Sequence, residues 1–332
     1  MNHTRRAFLG VDIGGTKTHA LVADESGQAL GFGAAGPGNH EVVGYDGLRA
    51  SLKTAVSQAL GSAGLPPRQI AGAGFGVAGY DWPSELPATL EAIATLGLAC
   101  PVEAVNDAVV GLLAGASQGW GVVVVAGTSN NCRGRDRRGR EGRVTGNGMT
   151  FGEYGGGAEV VWKAIQAINY AWIQRGPSTA LTQTFLDLCG ARRAFEFIEG
   201  LVLERYSPDA SWALAVFQCA EQGDPVARQV LTWAGQELGE LACAVIRQLD
   251  LQDETFEVVQ SGSLYEGGAL LTEPMRQTIQ ALAPGAQMVR LTAPPVVGGV
   301  LLGMQQAGCD GRAVRQKLID TASRLWKNAA PA

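Results

Sequence analysis

A strand that ends in a glycine turn, and then occurs a second time, limits the possible folds more than any other feature of the chain. In Val11-Asp12-Ile13-Gly14-Gly15-Thr16-Lys17-Thr18 an apolar run closes on a carboxylate, two glycines and two threonines. In Val125-Ala126-Gly127-Thr128-Ser129-Asn130-Asn131 a second apolar run closes on a similar turn. Apolar runs bounded by glycine read as buried strands. Alone, an Asp-x-Gly-Gly-Thr turn is also what an ordinary tight hairpin looks like; two of them in separate halves can clamp one ligand. No low-complexity linker and no short tandem repeat accompanies them.

The 332 residues exceed one compact domain, and the spacing of elements divides them near residue 113 into domains 1–113 and 114–332. The first begins as an antiparallel meander, with strands expected at 7–13, 18–24 and 29–34. It continues as helix 47–63, strand 70–77, helix 84–96, strand 101–105 and a helix at 108–116. Strand and helix in alternation imply parallel pairing in a covered sheet. The second starts with strand 121–126, carries a helical insertion over about 158–250, and ends with strand 256–260, a helix near 270–282 and Gly298-Gly299 before a final small-residue helix. That last helix is a candidate to pack back on the first domain.

With 46% hydrophobic and 17% charged residues the chain can bury real cores, which excludes overall disorder. A net charge of -5 gives no general attraction for nucleic acid or an anionic membrane. The basic run Arg133, Arg135, Arg137, Arg138, Arg140 and Arg143 surrounds Asp136 and Gly139, and reads as a solvated hairpin or, less simply, a ligand patch. Six cysteines without a Cys-x-x-Cys pair and without clustered histidines indicate reduced, mostly buried thiols. Residues 1–7 are short and polar, no signal-type apolar segment follows, and no apolar run is long enough to span a bilayer, so a cytoplasmic location is expected.

Phosphoryl transfer asks a protein for amide donors around phosphate, a carboxylate for hydrated magnesium and a base at the acceptor hydroxyl. Each part has a candidate. Gly14 and Gly15 let backbone approach phosphate, Thr16 and Thr18 add hydroxyls, and Asp12 can face the metal. Asn106-Asp107 stands at the C-terminal end of an expected parallel strand, where crevice ligands bind in open α/β sheets. Asp107 there is either a general base or the N-cap of the next helix.

The order of five segments, residues 12–18, Asn106-Asp107, 127–130, Gly262-Ser263 and Gly298-Gly299, resembles that of the superfamily of sugar kinases, actin and heat-shock chaperones. Within it the chain is similar to the N-acetylglucosamine kinase and BadF/BadG/BcrA/BcrD ATPase family over nearly its whole length. The resemblance implies an α/β fold of two actin-like (ribonuclease H-like) domains, each a mixed five-stranded sheet with helices, flanking a nucleotide cleft. It implies ATP and Mg2+ as cofactors, a sugar substrate, a homodimer and Asp107 as the base. Carried over by position, Gly14, Gly15, Thr16, Lys17, Thr18, Gly127 and Thr128 bind the ATP phosphates, and Gly262 and Ser263 lie by the adenosine. Asn39, Asp107, Ser129, Asn130, Gly146, Asn147 and Glu153 hold the sugar, and Asp12 holds magnesium through water. His40, beside Asn39, is equally a plain surface residue.

One segment departs from the family pattern. Where such kinases read Gly-Asp-Glu-Gly-Ser, this chain has Gly152-Glu153-Tyr154-Gly155-Gly156. The first acid is one methylene longer, the second is an aromatic that can stack on or crowd a sugar ring, and the serine is absent. The acceptor therefore stays open between an amino sugar or N-acetylhexosamine, another hexose and a different alcohol.

Three rival functions have sequence signatures of their own. Gly74-Phe75-Gly76-Val77-Ala78-Gly79 fits the dinucleotide fingerprint, but Tyr80-Asp81-Trp82-Pro83 breaks the helix that should follow and no acidic strand end comes later. Activators of radical dehydratases in the same family carry a cysteine-bound cluster, and residues 153–157 hold no cysteine. A BadF-type ATPase with a non-sugar role, or a catalytically weak sugar- or nucleotide-binding sensor, is the alternative that Tyr154 and Gly156 keep open.

Overall fold

The computed structural model describes residues 6–329; residues 1–5, part of the polar N-terminus read above, and 330–332 lie outside the described residues. The chain runs β1 (Ala7–Ile13), β2 (Thr18–Asp24), β3 (Ala29–Ala35), α1 (His40–Ala63), β4 (Ile70–Val77), α2 (Leu86–Ala94), β5 (Val102–Asn106) and α3 (Asp107–Gly115). It continues through β6 (Gly121–Ala126), β7 (Asn130–Arg135), β8 (Glu141–Arg143), α4 (Gly157–Trp172), α5 (Ala180–Cys189), α6 (Ala194–Val202), α7 (Ala213–Glu221) and α8 (Pro225–Gln248). It closes with β9 (Phe256–Ser261), α9 (Ala269–Leu282), β10 (Ala286–Arg290), α10 (Val296–Gln306) and α11 (Arg315–Ala329).

The strands form two five-stranded sheets of one topology, β3-β2-β1-β4-β5 and β8-β7-β6-β9-β10. In each, a three-stranded antiparallel meander is extended by two strands parallel to its first. These are the two mixed α/β sheets expected of the actin-like architecture. The apolar positions of α1 and α2 meet Leu9, Val11, Ala20, Val22 and Phe75 on one face of the first sheet. Phe8, Leu21, Ala23 and Ala29 on the other face meet α10 and α11. The second sheet is covered by the helices of 157–248 and by α9.

α10 lies almost directly on the backbone of α3 and of β1. A Cβ at Gly298 would sit 1.9 Å from the Val110 carbonyl oxygen, and one at Gly10 would sit 2.2 Å from the Val300 nitrogen. Gly298 and Gly299 therefore lie inside the helix as packing residues, where a turn before a helix was expected. β7, β8 and β10 were not foreseen as strands, and α1 begins at His40, ahead of the expected 47, with a non-helical Gly44 (φ 68°) inside it. α3 is buried from Ala108 to Gly115, with Asp107 half-buried at its start. One side meets α10 through Val109, Val110 and Leu113, and the other meets Val123 and Val259 of the second sheet.

Candidate active site

Parallel strands end at a common edge, and this edge of each sheet carries the polar residues. In the first sheet Asp12 pairs with Gly76 and Val77 with Asn106, so the β1–β2 turn, the 78–82 loop and the start of α3 come out side by side. In the second, β6 and β9 end together at Gly127 and Gly262.

The β1–β2 turn is closed by the Gly14 N–H on the Lys17 carbonyl (2.9 Å), and the Gly14 carbonyl accepts from Gly38 and Asn39 at 3.1 and 3.3 Å. The turn is thereby tied to the start of α1. Gly15, Thr16 and Lys17 are exposed. Thr18 is not: its hydroxyl is fully buried, under Gly38, and has no protein partner. The Lys17 ammonium stands 5.7 Å from the Trp326 ring of α11. In the second hairpin the Gly127 N–H meets the Ser129 carbonyl (2.9 Å), and the first amides of α4, at Gly157 and Ala158, donate to the Gly127 and Thr128 carbonyls (2.8 and 3.0 Å). Thr128 and Ser129 are left exposed.

Glycine is required by the fold at some of these positions and not at others. Gly262 has φ 110°, and a Cβ there would lie 2.2 Å from the Ala126 carbonyl oxygen. At Gly15 and Gly127 a Cβ would meet nothing within 4 Å, and neither has a positive φ. Nothing in the protein itself calls for glycine there, and the missing side chain leaves the backbone of both turns open to close approach. Ser263, next to Gly262, borders a cavity of about 300 Å³ whose lining includes Ala210, Leu214, Phe217 and Glu266. Arg290 holds the loop by donating to the Gln260 and Gly262 carbonyls (2.8 and 2.7 Å).

The N-cap of α3 is Asn106, whose side chain accepts from the Ala108 N–H at 3.0 Å. Asp107 occupies the first turn and accepts from the same N–H at 3.0 Å. Capping is therefore already provided without Asp107. Burial pushes the Asp107 carboxyl up to about 6; the Ala108 amide and Arg133 oppose the rise and Asp81 adds to it. Burial, with the charge of Asp107 added, pushes Asp12 up to about 7 against the pull of Lys17. Two carboxylates with raised pKa values thus share one cleft, and the charge of Asp107 adds to the rise at Asp12, an arrangement that a cation or an abstracted proton relieves.

On the acceptor side, Asn39 caps α1 by accepting from the Glu41 N–H (2.8 Å) and packs against Gly79. His40 is a largely buried residue stacked on Tyr45 at 4.6 Å, its Nδ1 without a partner. Glu153 is buried, and its carboxylate accepts from the Thr145 and Asn147 N–H groups at 2.6 and 3.1 Å, which shapes the Gly146-Asn147 loop. Asn130 is 4% exposed and donates to the Glu153 carbonyl and the Glu159 carboxylate, both at 3.2 Å. Along β7 the pleat turns the next residue the other way. Asn131, not singled out from the sequence, reaches Asn106 at 3.5 Å. Tyr154 stacks on Trp162 with ring centres 5.9 Å apart and lies against Trp233, a protein contact in place of a sugar platform.

Arg133 was read as part of a solvated hairpin. The β7–β8 turn does expose Arg137, Arg138 and Arg140, but Arg133 is 3% exposed and ion-pairs with Asp81, which also accepts from Asn106 Nδ2 at 3.1 Å. The available signal was period-two alternation: Asn131, Arg133 and Arg135 share one face of a strand whose other face is Asn130, Cys132 and Gly134. All six cysteines are free; Cys132, Cys219 and Cys243 are buried and the other three partly so. Among the described residues no group of three or more His, Cys, Asp or Glu is placed to hold a metal, and no helix is long and apolar enough to cross a membrane.

Comparison with known proteins bears on the same residues. The chain is 28% identical to the N-acetyl-D-glucosamine kinase of Dictyostelium discoideum over 91% of its own length and 98% of that protein. It is 25% identical to the N-acetylmuramic acid/N-acetylglucosamine kinase of Clostridium acetobutylicum over 91% and 99%. A Chromobacterium violaceum protein provisionally named N-acetylglucosamine kinase superposes with a TM-score of 0.66 at 26% identity, over 90% of this chain and 99% of that one. The family model that matches residues 9–303 takes in both glycine turns, Asp107 and most of α10, and the chain belongs to the BadF/BadG/BcrA/BcrD ATPase family.

Proposed function

We propose that the protein is an ATP-dependent kinase that phosphorylates a hydroxyl of an amino sugar or N-acetylhexosamine. The observation that carries this reading is the pair of turn glycines, exposed Gly15 and half-buried Gly127, that the fold itself does not need, one on each sheet and beside the cleft that holds Asp12 and Asp107. Gly14 to Thr18 and Gly127-Thr128 would cradle the phosphates through backbone amides, and the cavity beside Gly262 and Ser263 would take the adenosine. The names of the two curated kinases, similar over nearly their full lengths, support an amino-sugar acceptor.

Magnesium fits a cleft with few protein ligands, since it keeps several waters and binds through one or two carboxylates plus phosphate oxygens. Asp12, pushed up in pKa by burial and by Asp107, would hold it through water; when bound it supplies charge neutralisation at the phosphates. Asp107 accepts the acceptor hydroxyl's proton as that oxygen bonds to phosphorus and the bond to the ADP leaving group breaks. Asn39, Ser129 and the Gly146-Asn147 loop held by Glu153 orient the sugar. Asn131 joins them from the cleft side of β7, and Asn130, on the buried side, would act through Glu153 and Glu159. We extend the reading to domains 1–113 and 114–332 closing about α3, with α10 and α11 returning to the first, and to a cytoplasmic homodimer.

The test is ADP release with Mg-ATP against a panel of hexoses, hexosamines and N-acetylhexosamines. Turnover well above basal hydrolysis with an amino or N-acetylamino sugar is expected. No stimulation by any carbohydrate, with nucleotide still bound, would replace the kinase by a sensor or an ATPase of non-sugar role.

A further inference from the structure

We infer that Arg133 is a positioning residue of the acceptor site, holding Asp81 and through it the Asn106-Asp107 strand end in register with the second sheet. The inference rests on the kinase reading. Asp81 belongs to the first sheet's loop after β4, and Arg133 to β7 of the second. The guanidinium of Arg133 bonds Asp81 Oδ1, and the same oxygen accepts from Asn106 Nδ2, the side chain that caps the helix of Asp107. The backbone of Asp81 is held as well: Arg143, opposite Arg133 on β8, donates to its carbonyl, and Glu85 accepts from its N–H at 2.8 Å. Gly146, in the loop shaped by Glu153, lies against the Asp81 carboxylate. One carboxylate therefore touches the neighbour of the base, the opposite sheet and the acceptor loop.

This pair does not have the character of a stabilising ion pair. Despite a contacting guanidinium, burial still raises Asp81 above the usual carboxylate range, so desolvation outweighs the attraction. Arg133 Nε is also buried and without a protein partner, a donor the fold leaves unused beside Asp81. A pair that is costly to bury and incompletely satisfied belongs at a site that uses it. Arg135 differs in what it touches and not in satisfaction, since its Nη1 is likewise buried without a protein partner. It lies on the same face of β7, crosses to Glu103 of β5 at 3.2 Å, and makes no contact with the Asp81-Asn106 cluster.

The experiment compares Arg133→Gln, Arg133→Lys, Asp81→Asn and Arg135→Gln in the full chain, with a sugar that the wild type phosphorylates. Arg133→Gln and Asp81→Asn are expected to lower kcat about 10- to 100-fold and raise the acceptor KM, while the ATP KM stays within about twofold. Arg133→Lys, which keeps the charge but not the fork, is expected to recover part of the loss. Arg135→Gln is expected to stay within about twofold throughout. A purely structural role predicts losses that follow melting temperature and affect both substrates alike, with Arg133→Gln and Arg135→Gln equivalent; that pattern, or an unaffected Arg133→Gln, overturns the inference. If Arg133→Gln does not fold, Arg133→Lys and Asp81→Asn decide by the same split between substrates. A wild type that phosphorylates no sugar overturns the kinase reading first, whereas a working wild type with normal variants overturns this inference alone.

Discussion

Every residue of β2 is buried, because α1 lies on one face of the first sheet and α11 reaches across the other. Its topological counterpart in the second sheet, β7, reads Asn-Asn-Cys-Arg-Gly-Arg and buries only one face in apolar surroundings. Cys132 and Gly134 meet α8 and its neighbours, while Asn131, Arg133 and Arg135 face the ends of β4 and β5. Connectivity is thus the same in the two halves, and the chemistry differs according to what covers each strand. The first half supplies the carboxylates Asp12 and Asp107, and the second supplies donors that meet the residues around Asp107, at Asp81 and Asn106.

That division of labour is broken most severely at the base. Asp107→Asn is expected to lower turnover by about 10²- to 10⁴-fold with near-normal nucleotide binding. Its stability should move the other way. A folded pKa of about 6, above the ordinary 3.8, means that ionised Asp107 destabilises the fold above that pH, and that the penalty vanishes once the group is protonated in both states. The variant should therefore gain on the order of 1 to 3 kcal/mol at about pH 8 and nothing below about pH 4. Urea unfolding at the two pH values checks the sign; an asparagine variant with full turnover would return Asp107 to a structural role.

The glycines sharpen the comparison next. Gly15→Ala meets no protein atom, so its melting temperature should be near that of the wild type while Mg-ATP affinity falls about tenfold, roughly 1.4 kcal/mol. Gly262→Ala must strain a positive φ against the Ala126 carbonyl, at on the order of 1 to 3 kcal/mol, and should lower stability and affinity together. Calorimetry with thermal unfolding separates the two outcomes, and equal destabilisation by both would remove the case for ligand-reserved glycine.

Glu153→Asp comes third. Withdrawing the carboxylate by one methylene strands the Thr145 or Asn147 N–H, about 1 to 3 kcal/mol for a buried donor, and should appear as an acceptor KM raised about tenfold or more with the ATP KM unchanged. The smallest effect is expected at Tyr154→Ala, which removes a ring from the Trp162-Trp233 cluster: a few degrees in melting temperature, and an acceptor KM within about twofold. A large acceptor effect there would put Tyr154 back against the sugar.

Most of the first half was legible because its signals are local. The strands at 7–13, 18–24 and 70–77 are apolar runs stopped by glycine or aspartate, and they stand where periodicity put them. The second half was legible only where the same rule applies, in β6 and β9. β7 was missed because an interdomain face makes its alternation polar, and β10 because a five-residue edge strand carries little pattern. Gly298-Gly299 reads as a turn in one dimension; only the approach of α10 to Gly10 and Val110 explains it. In the cleft, the positions that depend on strand ends, Asp12, Asp107 and the two turns, could be named in advance. Those that depend on which sheet faces which, Asp81, Asn131 and Arg133, could not: the alternation along β7 puts Asn131 and Arg133 on one face without saying what that face meets.

The return of α10 and α11 to the first sheet sets an order of events on the ribosome. Phe8, Leu21, Ala23 and Ala29 have their cover only when residues 296–326 have emerged, after the strands of both sheets. Until then the oldest part of the chain presents an open apolar sheet face, while the second half, whose helices come from its own sequence, can already close. The second sheet can therefore mature before the first, which waits for α10 and α11. A stop codon before residue 296 should release a chain whose second sheet resists proteolysis and whose first is digested or captured by chaperones.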